Sequence, residues 1–193
     1  ICSFSCSEEL ISLYNSFDDQ VIKDLRLNAF FEDNGDEQYR VSKVGEKVYD
    51  CFAIRSVELY LNKAEAEAML DKAEAIQTIK TLLNNRFEGG IPDIDGLSGK
   101  DLVSFIRDER RRELCFEAHR WFDLRRYAVS PKYPEKKSIR HTAYDIKGKL
   151  EGDYVLKPYG EDPAWVLPIP GYEIVYNQGN LVDNPQRVDR ELE

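Results

Sequence analysis

Phe105–Arg126 reads FIRDERRRELCFEAHRWFDLRR. Seven arginines, five carboxylates and one histidine are interleaved there with Phe105, Ile106, Leu114, Cys115, Phe116, Trp121, Phe122 and Leu124. A solvated charged helix does not carry so many large apolar groups, and an ordinary core helix does not carry so many charges. Such a segment is stable only where its aromatics and its arginine–carboxylate pairs pack together. Asp108 to Arg112 is an i,i+4 pair, while Glu109 to Arg112 and Asp123 to Arg126 are i,i+3 pairs. Glu109 and Glu113 share a helix face and have the spacing of an acid/base pair. Paired carboxylates at helix spacing more often stabilise than catalyse, so structural ion pairing is the preferred reading. The spacing predicts a helix from about Lys100 to Cys115, a turn near Glu117–Ala118 and a short helix around Trp121–Tyr127. Glu109, Arg110, Arg112, Glu113, Glu117, Arg120, Asp123 and Arg126 form the ion-pair signature expected to lock that corner.

Upstream, the clearest helix begins near Ala53. Ile54, Val57, Leu61, Ala64 and Ala68 are spaced 3, 4, 3 and 4 apart, one stripe of an amphipathic helix. Its Ala-rich second half admits a close-packed neighbour. Asp71 reads as a break and cap for a second helix through about Phe87, with Ile76, Ile79, Leu83 and Phe87 as its stripe. Two helices with almost no linker fold back as an antiparallel hairpin. That is the unit from which tetratricopeptide-type arrays are stacked, although the consensus motif of that repeat is not evident. Gly89-Gly90-Ile91-Pro92 ends the hairpin, and residues 88–99 form a loop.

Nearer the N-terminus, residues 8–17 (EELISLYNSF) read as a short helix. From Asp24 to Asp36 the period changes: Leu25, Leu27, Ala29 and Phe31 alternate with Arg26, Asn28 and Phe30, as in a strand. Asn34-Gly35 is the dipeptide that a tight hairpin turn prefers, because both positions accept positive φ. Tyr39 and Val41 share a face of the returning strand. Beyond Pro131 the chain is punctuated by Pro134, Pro158, Pro163, Pro168, Pro170 and Pro185. Apart from a short helix near Gly171–Asn177, this tail is expected to be irregular and wrapped over the helices.

The expected fold is mainly α, a tetratricopeptide-like helix-pair (α-α superhelix) scaffold with a small β-hairpin and a long irregular C-terminal region. It is read as one domain over 1–193, with a short helix and hairpin at 8–50, the helical scaffold at 53–127 and the tail at 128–193. The 193 residues suffice for a sizeable core. No segment approaches the roughly 18 consecutive apolar residues of a membrane helix, and the N-terminus lacks a signal-peptide pattern. A net charge of −9 argues against nucleic acid, whose binding rests on phosphate neutralisation. Four cysteines (Cys2, Cys6, Cys51, Cys115) are too few and too scattered for a disulfide scaffold. With His119 and His141 the only histidines, no zinc ligand set is readable and no metal is assigned. A Cys2–Cys6 or Cys2–Cys51 disulfide stays open, and Cys115, between Leu114 and Phe116, reads as a buried apolar residue.

Motifs for chemistry fail. Gly99-Lys100 lacks the earlier glycine (Ile94 stands there) and the following Ser or Thr (Asp101) of a phosphate loop. Asp93-Ile94-Asp95-Gly96 lacks the later acids of a calcium loop, with Leu97 and Ser104 in their places. No nucleophile elbow exists, and no cofactor is assigned. Aromatics flanked by polar residues can stack on the apolar C–H faces of sugars, and Tyr133, Tyr144, Tyr154, Tyr159 and Trp165 all lie in the tail. The tyrosines are candidate ligand-binding residues, although simple packing is the commoner role. Trp121 and Trp165 read as core anchors.

Several motifs, in order, resemble the C-terminal part of the SusD/RagB family of outer-membrane nutrient-binding lipoproteins. Arg55-Ser56-Val57-Glu58-Leu59-Tyr60-Leu61, continuing to Ala64-Glu65-Ala66, resembles the family's Arg-x-x-Glu-x-x-Leu-x-x-Ala-Glu-Ala helix. Ala75 through Arg86 resembles its Ala-x-x-x-Leu-Asn-x-x-Arg helix. Glu109-Arg110-Arg111-Arg112-Glu113-Leu114, Phe116-Glu117 and Arg120-Trp121-x-Asp123-Leu124-x-Arg126 resemble its central signature. Leu167-Pro168-Ile169-Pro170, Glu173-Ile174 and Asn184-Pro185 resemble its ending, and Asp24-Leu25-Arg26-Leu27 with Phe31 its upstream segment. Ala118 stands where the family usually has Gly, which narrows the backbone geometry of that turn. Val182-Asp183-Asn184-Pro185-Gln186 replaces the commoner ending.

The resemblance implies a non-enzymatic scaffold portion of a cell-surface protein that binds oligosaccharide or polysaccharide. Such a protein delivers its ligand to a TonB-dependent, SusC-like outer-membrane transporter on which it sits as a lid. It also implies an outward-facing place at the outer membrane, with a lipid anchor in the full-length protein; Cys2 shows no lipobox. A helical-repeat scaffold for protein partners is the first alternative. A glycoside hydrolase, which needs two carboxylates roughly 5–10 Å apart in a cleft, is the second.

Overall fold

The computed structural model describes residues 6–17, 21–35, 39–43, 55–184 and 192. Expectations resting on Cys2, Cys51, Ala53, Ile54, Pro185 and Gln186 lie outside the described residues. The chain forms two compact units, Ile1–Phe122 and Asp123–Glu193. Among the described residues the architecture is mainly helical, with three small two-stranded antiparallel sheets.

In the first unit, α1 (Glu8–Asn15) starts where the Ser7 hydroxyl accepts from the Leu10 amide, and Glu8 and Glu9 complement the positive helix end. It buries Leu10, Ile11 and Tyr14 against Phe31 and Cys115. β1 (Lys23–Asp24) leads into α2 (Arg26–Phe30), and then β2 (Phe31–Asp33) pairs with β3 (Tyr39–Val41), Phe31 opposite Val41 and Asp33 opposite Tyr39. The small hairpin is present, with Gly35 at φ +82° and its amide donating to Asp33 Oδ1 at 2.8 Å.

The strand expected before it is instead helical over Arg26–Phe30. Alternation would bury Leu25 and expose Arg26, but Leu25 is 44% exposed and Arg26 only 3%. The Arg26 amide donates to Asp24 Oδ1 at 2.9 Å and the Leu25 amide to the Arg86 carbonyl at 2.9 Å, which turns the chain inward. A buried guanidinium with carboxylate partners overrides the apolar period.

α3 (Ser56–Met69) packs against α4 (Glu74–Leu83) and α5 (Gly99–Glu113). Ala64 and Ala68 face inward, which brings the helices close, and Thr78 Oγ1 donates to Glu67 Oε2 at 2.6 Å. Asp71 is not the cap of α4. It takes the left-handed position after α3, at φ +55°, where the Asp71 amide bonds the Ala68 carbonyl and the Lys72 amide the Glu67 carbonyl. α4 ends at Leu83, short of Phe87, because Phe87 belongs to β4 (Phe87–Glu88), paired with β1. Gly89 follows at φ +81°, and a β-carbon there would lie 2.4 Å from the Val21 carbonyl oxygen, so only glycine fits. Leu61, Ala64, Ile79, Leu83, Val103 and Ile106 are fully enclosed. Each such aliphatic side chain larger than alanine contributes roughly 2 kcal/mol by leaving water.

α5 changes character along its length. Its first half buries Leu102, Val103 and Ile106, and its second half buries Arg107, Glu109, Arg110, Arg112 and Glu113. The turn over 114–118 holds Phe116 and Ala118 at φ +61°, and α6 (His119–Ala128) follows.

The second unit contains a hairpin not anticipated in the tail, β5 (Ile139–Tyr144) with β6 (Leu150–Leu156). Its turn is set by Asp145, whose Oδ1 accepts the Lys147 and Lys149 amides at 2.8 Å each. A register shift between Ala143 and Tyr144 breaks the simple alternation, which conceals the strands in the sequence. A short 3₁₀ turn (Pro163–Trp165) buries Trp165, whose Nε1 donates to the Lys157 carbonyl at 2.7 Å. α7 (Gly171–Tyr176) lies where a short helix was expected.

Candidate functional site

Glu109 and Glu113 sit one helical turn apart on α5, and the fold brings four cationic side chains from distant segments onto them and Glu117. Arg26 Nη1 reaches Glu109 Oε1 at 2.5 Å and Glu113 Oε2 at 3.1 Å, while Nε and Nη2 bind both oxygens of Asp24 at 2.9 and 2.7 Å. Arg86 grips Glu113 bidentately at 2.8 and 3.1 Å. Arg55 grips Glu117 at 3.0 and 2.6 Å and also reaches Glu113. Lys43 Nζ lies 2.5 Å from Glu117 Oε1 and donates to the Glu113 carbonyl at 2.6 Å. From α5 itself, Arg112 Nε donates to Glu109 Oε2 at 2.9 Å, with its guanidinium over the Phe17 ring.

This is a polar network buried at Arg26, Glu109, Arg112 and Glu113 and open to solvent at Arg55 and Arg86. Burial pushes the Glu109 carboxyl up, but the charges of Arg26 and Arg112 outweigh it and hold the group at about 2. Glu113 is also held below its usual range: burial raises it, and the Arg86 hydrogen bonds and the Arg26 charge win. Neither carboxyl has a proton to give at neutral pH, and both are enclosed, so the pair lacks the protonated acid that glycosidic cleavage needs. A cavity of about 250 Å³ opens against Leu25, Phe30, Arg55 and Arg86, where the guanidiniums are already committed to Glu113 and Glu117.

Within the signature, Glu109–Arg112 and Asp123–Arg126 form the expected i,i+3 pairs, the latter at 3.1 Å. Arg110 bonds Asn62 at 2.8 Å and Glu58 at 3.4 Å on α3 and also lies 3.5 Å from His119 Nδ1 at the start of α6. Arg120 is half-buried in the first turn of α6. The charges thus tie α5 to segments 26, 43, 55, 58 and 86, well beyond the α5–α6 corner. Asp24, Arg26, Lys43, Arg55 and Arg86 were missed as members of the cluster. Apart from Lys43, each lies inside one of the quoted family motifs, which was the available signal.

In both described cysteines the surroundings disfavour the thiolate. Burial pushes Cys115 up, and burial followed by Cys115 itself pushes Cys6 up to about 11. Tyr14 donates its hydroxyl to the Arg112 carbonyl at 2.7 Å beside Cys115. Among the described residues no group of three or more His, Cys, Asp and Glu could hold a metal ion. No helix there is long and apolar enough to cross a membrane.

The candidate tyrosines occupy different settings. Tyr133 is half-buried at φ +56°, with Lys132 Nζ 5.1 Å from its ring centre. Tyr159 packs edge-to-face on Trp165 at 5.9 Å, with the Arg125 guanidinium 5.1 Å from its ring centre. Tyr144 and Tyr154 are 62% and 38% exposed and project from opposite faces of the β5–β6 hairpin, since Tyr154 pairs with His141. Trp165, 1% exposed, is a core anchor, whereas Trp121 is only half-buried.

The model of the SusD family matches residues 20–186, a span holding the whole ion-pair network. The chain is similar to SusD-like protein P2 of Formosa agariphila, 26% identical over 147 residues, covering 68% of this chain and 25% of that relative. It is 39% identical over 77 residues to SusD-like protein P38 of the same organism, covering 36% of this chain and 15% of that one. The chain therefore spans a quarter or less of the length of these two relatives. With the family model matched across most of its length and the signature carboxylates and arginines assembled into one buried cluster, this chain belongs to the SusD family.

Proposed function

We propose that the chain is the C-terminal portion, one domain over 1–193, of a cell-surface protein that binds glycan and passes it to a TonB-dependent outer-membrane transporter. Family membership across residues 20–186 is the observation that carries this reading. The longer protein would face outward from the outer membrane on a lipid anchor. No bond is broken: the protein holds oligosaccharide by stacking on aromatic rings and by hydrogen bonds to sugar hydroxyls. The ionised, enclosed state of Glu109 and Glu113 supports a binding role over a hydrolytic one. Tyr133, Tyr144, Tyr154 and Tyr159 are the proposed pool of stacking residues, and the Glu109–Arg126 signature supplies the scaffold.

Native gels cast with soluble starch, galactomannan, xylan, laminarin or alginate test this. Retardation of the purified chain in one of them, with no reducing sugar released on prolonged incubation, is the expected result. Release of sugar that stops when one carboxylate is changed would replace the reading with a hydrolase. A second reading, a scaffold for protein partners, is favoured by Leu59, Tyr60 and Leu70, which α3 and its C-terminal cap leave exposed. Retention of the chain on an immobilised transporter, abolished by Leu59→Asp but unaffected by polysaccharide, would select it.

A further inference from the structure

The two faces of the β5–β6 hairpin differ. Ile139, Ala143 and Leu156 on one face are half-buried, with His141 and Tyr154 between them. The other face presents Arg140, Thr142 and Tyr144 from β5 and Leu150, Asp153 and Val155 from β6, with the exposed Leu150 directly opposite Tyr144. There Asp153 accepts from the Thr142 hydroxyl at 2.7 Å through Oδ1 and from Arg140 Nη1 at 2.6 Å through Oδ2. These two bonds fix a carboxylate that keeps a second lone-pair position on each oxygen among the described residues. Two positions along β5 from Thr142, and on the same face, the Tyr144 ring is open to solvent.

We propose that this face is a sugar-binding site, with Tyr144 as the stacking platform and the Asp153 carboxylate as acceptor for two adjacent hydroxyls of a neutral pyranose. Thr142 and Arg140 are positioning residues that hold the carboxylate level. The proposal rests on the glycan-binding reading above and assigns it a place. An aromatic ring takes the apolar C–H face of a sugar, and an oriented carboxylate takes its hydroxyls. A side-chain pair held in place before binding loses less conformational freedom on contact. The turn beyond it is equally fixed, with the Asp145 amide bonded to the Lys149 carbonyl and the Asp145 carboxylate to two amides. Apolar side chains alone would suit many partners; the ordered acceptor opposite Thr142, diagonal to Tyr144 in the ladder, is what selects a polyhydroxylated one.

The test uses the full chain in the same polysaccharide gels. Tyr144→Ala and Asp153→Asn should each weaken binding to a retarding neutral polysaccharide about tenfold, the size expected for losing one stacking contact or one charged acceptor. Tyr144→Phe, which keeps the ring face, and Tyr154→Ala on the opposite face should stay within about twofold of the parent. Thermal melts confirm that each variant is folded. Retardation of the parent that survives both Tyr144→Ala and Asp153→Asn overturns the proposal and leaves the glycan-binding reading standing. Retardation by alginate alone does the same, because the site is built for a neutral sugar. A parent retarded by none of the gels overturns both.

Discussion

Two ion pairs of nearly equal length behave oppositely in this protein. Arg26 and Glu109 meet at 2.5 Å with side chains 3% and 0% exposed, and Arg140 and Asp153 meet at 2.6 Å with side chains 60% and 23% exposed. Distance does not separate them; the medium does. In the interior, removing one partner strands a charge that water cannot reach, whereas at the surface water replaces the lost partner. The first pair therefore belongs to folding, and the second adds little to it.

The largest expected effect is at Glu109. Glu109→Ala takes the carboxylate that Arg112 bonds and one of the three that hold Arg26, and should cost about 3–5 kcal/mol, lowering the melting temperature by about 10 °C or more in a calorimetric scan. A melt within a degree of the parent would show that the interior network is no more costly to break than the surface pair.

Acid separates the same two sites. The Glu109 carboxyl titrates near 4.5 when unfolded and is held at about 2 when folded. Its contribution is thus fully present above about pH 4.5 and lost as pH falls towards 2, because the unfolded chain binds the proton first. The loss is on the order of 3 kcal/mol. Denaturant midpoints measured between pH 5 and pH 2.5 should fall steeply, and Glu109→Gln should flatten that slope. An unchanged slope in the variant would assign the acid sensitivity elsewhere. The Thr142 hydroxyl, then Arg140, also hold Asp153 low, but at the surface, where solvent screens the pair, so Asp153→Asn should change the slope far less than Glu109→Gln.

Backbone positions give smaller effects. Gly89→Ala drives a β-carbon into the Val21 carbonyl and should destabilise by about 2 kcal/mol, read from the urea midpoint. Ala118→Gly runs the other way. Ala118 holds φ +61° with a β-carbon, where the family usually has glycine, so the variant should gain up to about 1 kcal/mol. A loss there would mean that the Ala118 methyl contributes more by packing than its backbone strain costs. Smallest of all, Asp153→Asn should not move the melting temperature measurably, in direct contrast to Glu109→Ala.

The helices were legible because their apolar spacing is local: Leu61, Ala64 and Ala68, or Ile79 and Leu83, announce a buried stripe without help from elsewhere. The i,i+3 pairs Glu109–Arg112 and Asp123–Arg126 were legible for the same reason. Helix ends were not. α4 stops before Phe87 because β1, some sixty positions earlier, supplies a strand for Phe87 to pair with. The β5–β6 hairpin was hidden by its register shift, and the face shared by Tyr144 and Asp153 exists only once the strands are aligned.

By itself the sequence determined the helix pair, the charged corner and the family, since each is written in short-range spacing or in motifs that follow one another along the chain. Only the tertiary structure decided that Arg26 is buried in a helical turn, that Glu113 answers to Arg26, Arg55 and Arg86, and that Tyr144 and Tyr154 look in opposite directions. Those outcomes depend on partners from 27 to 87 residues apart across the network, and on strand register. A charge accepts burial only where the fold has brought its counter-charges to it, and no local pattern records where they come from.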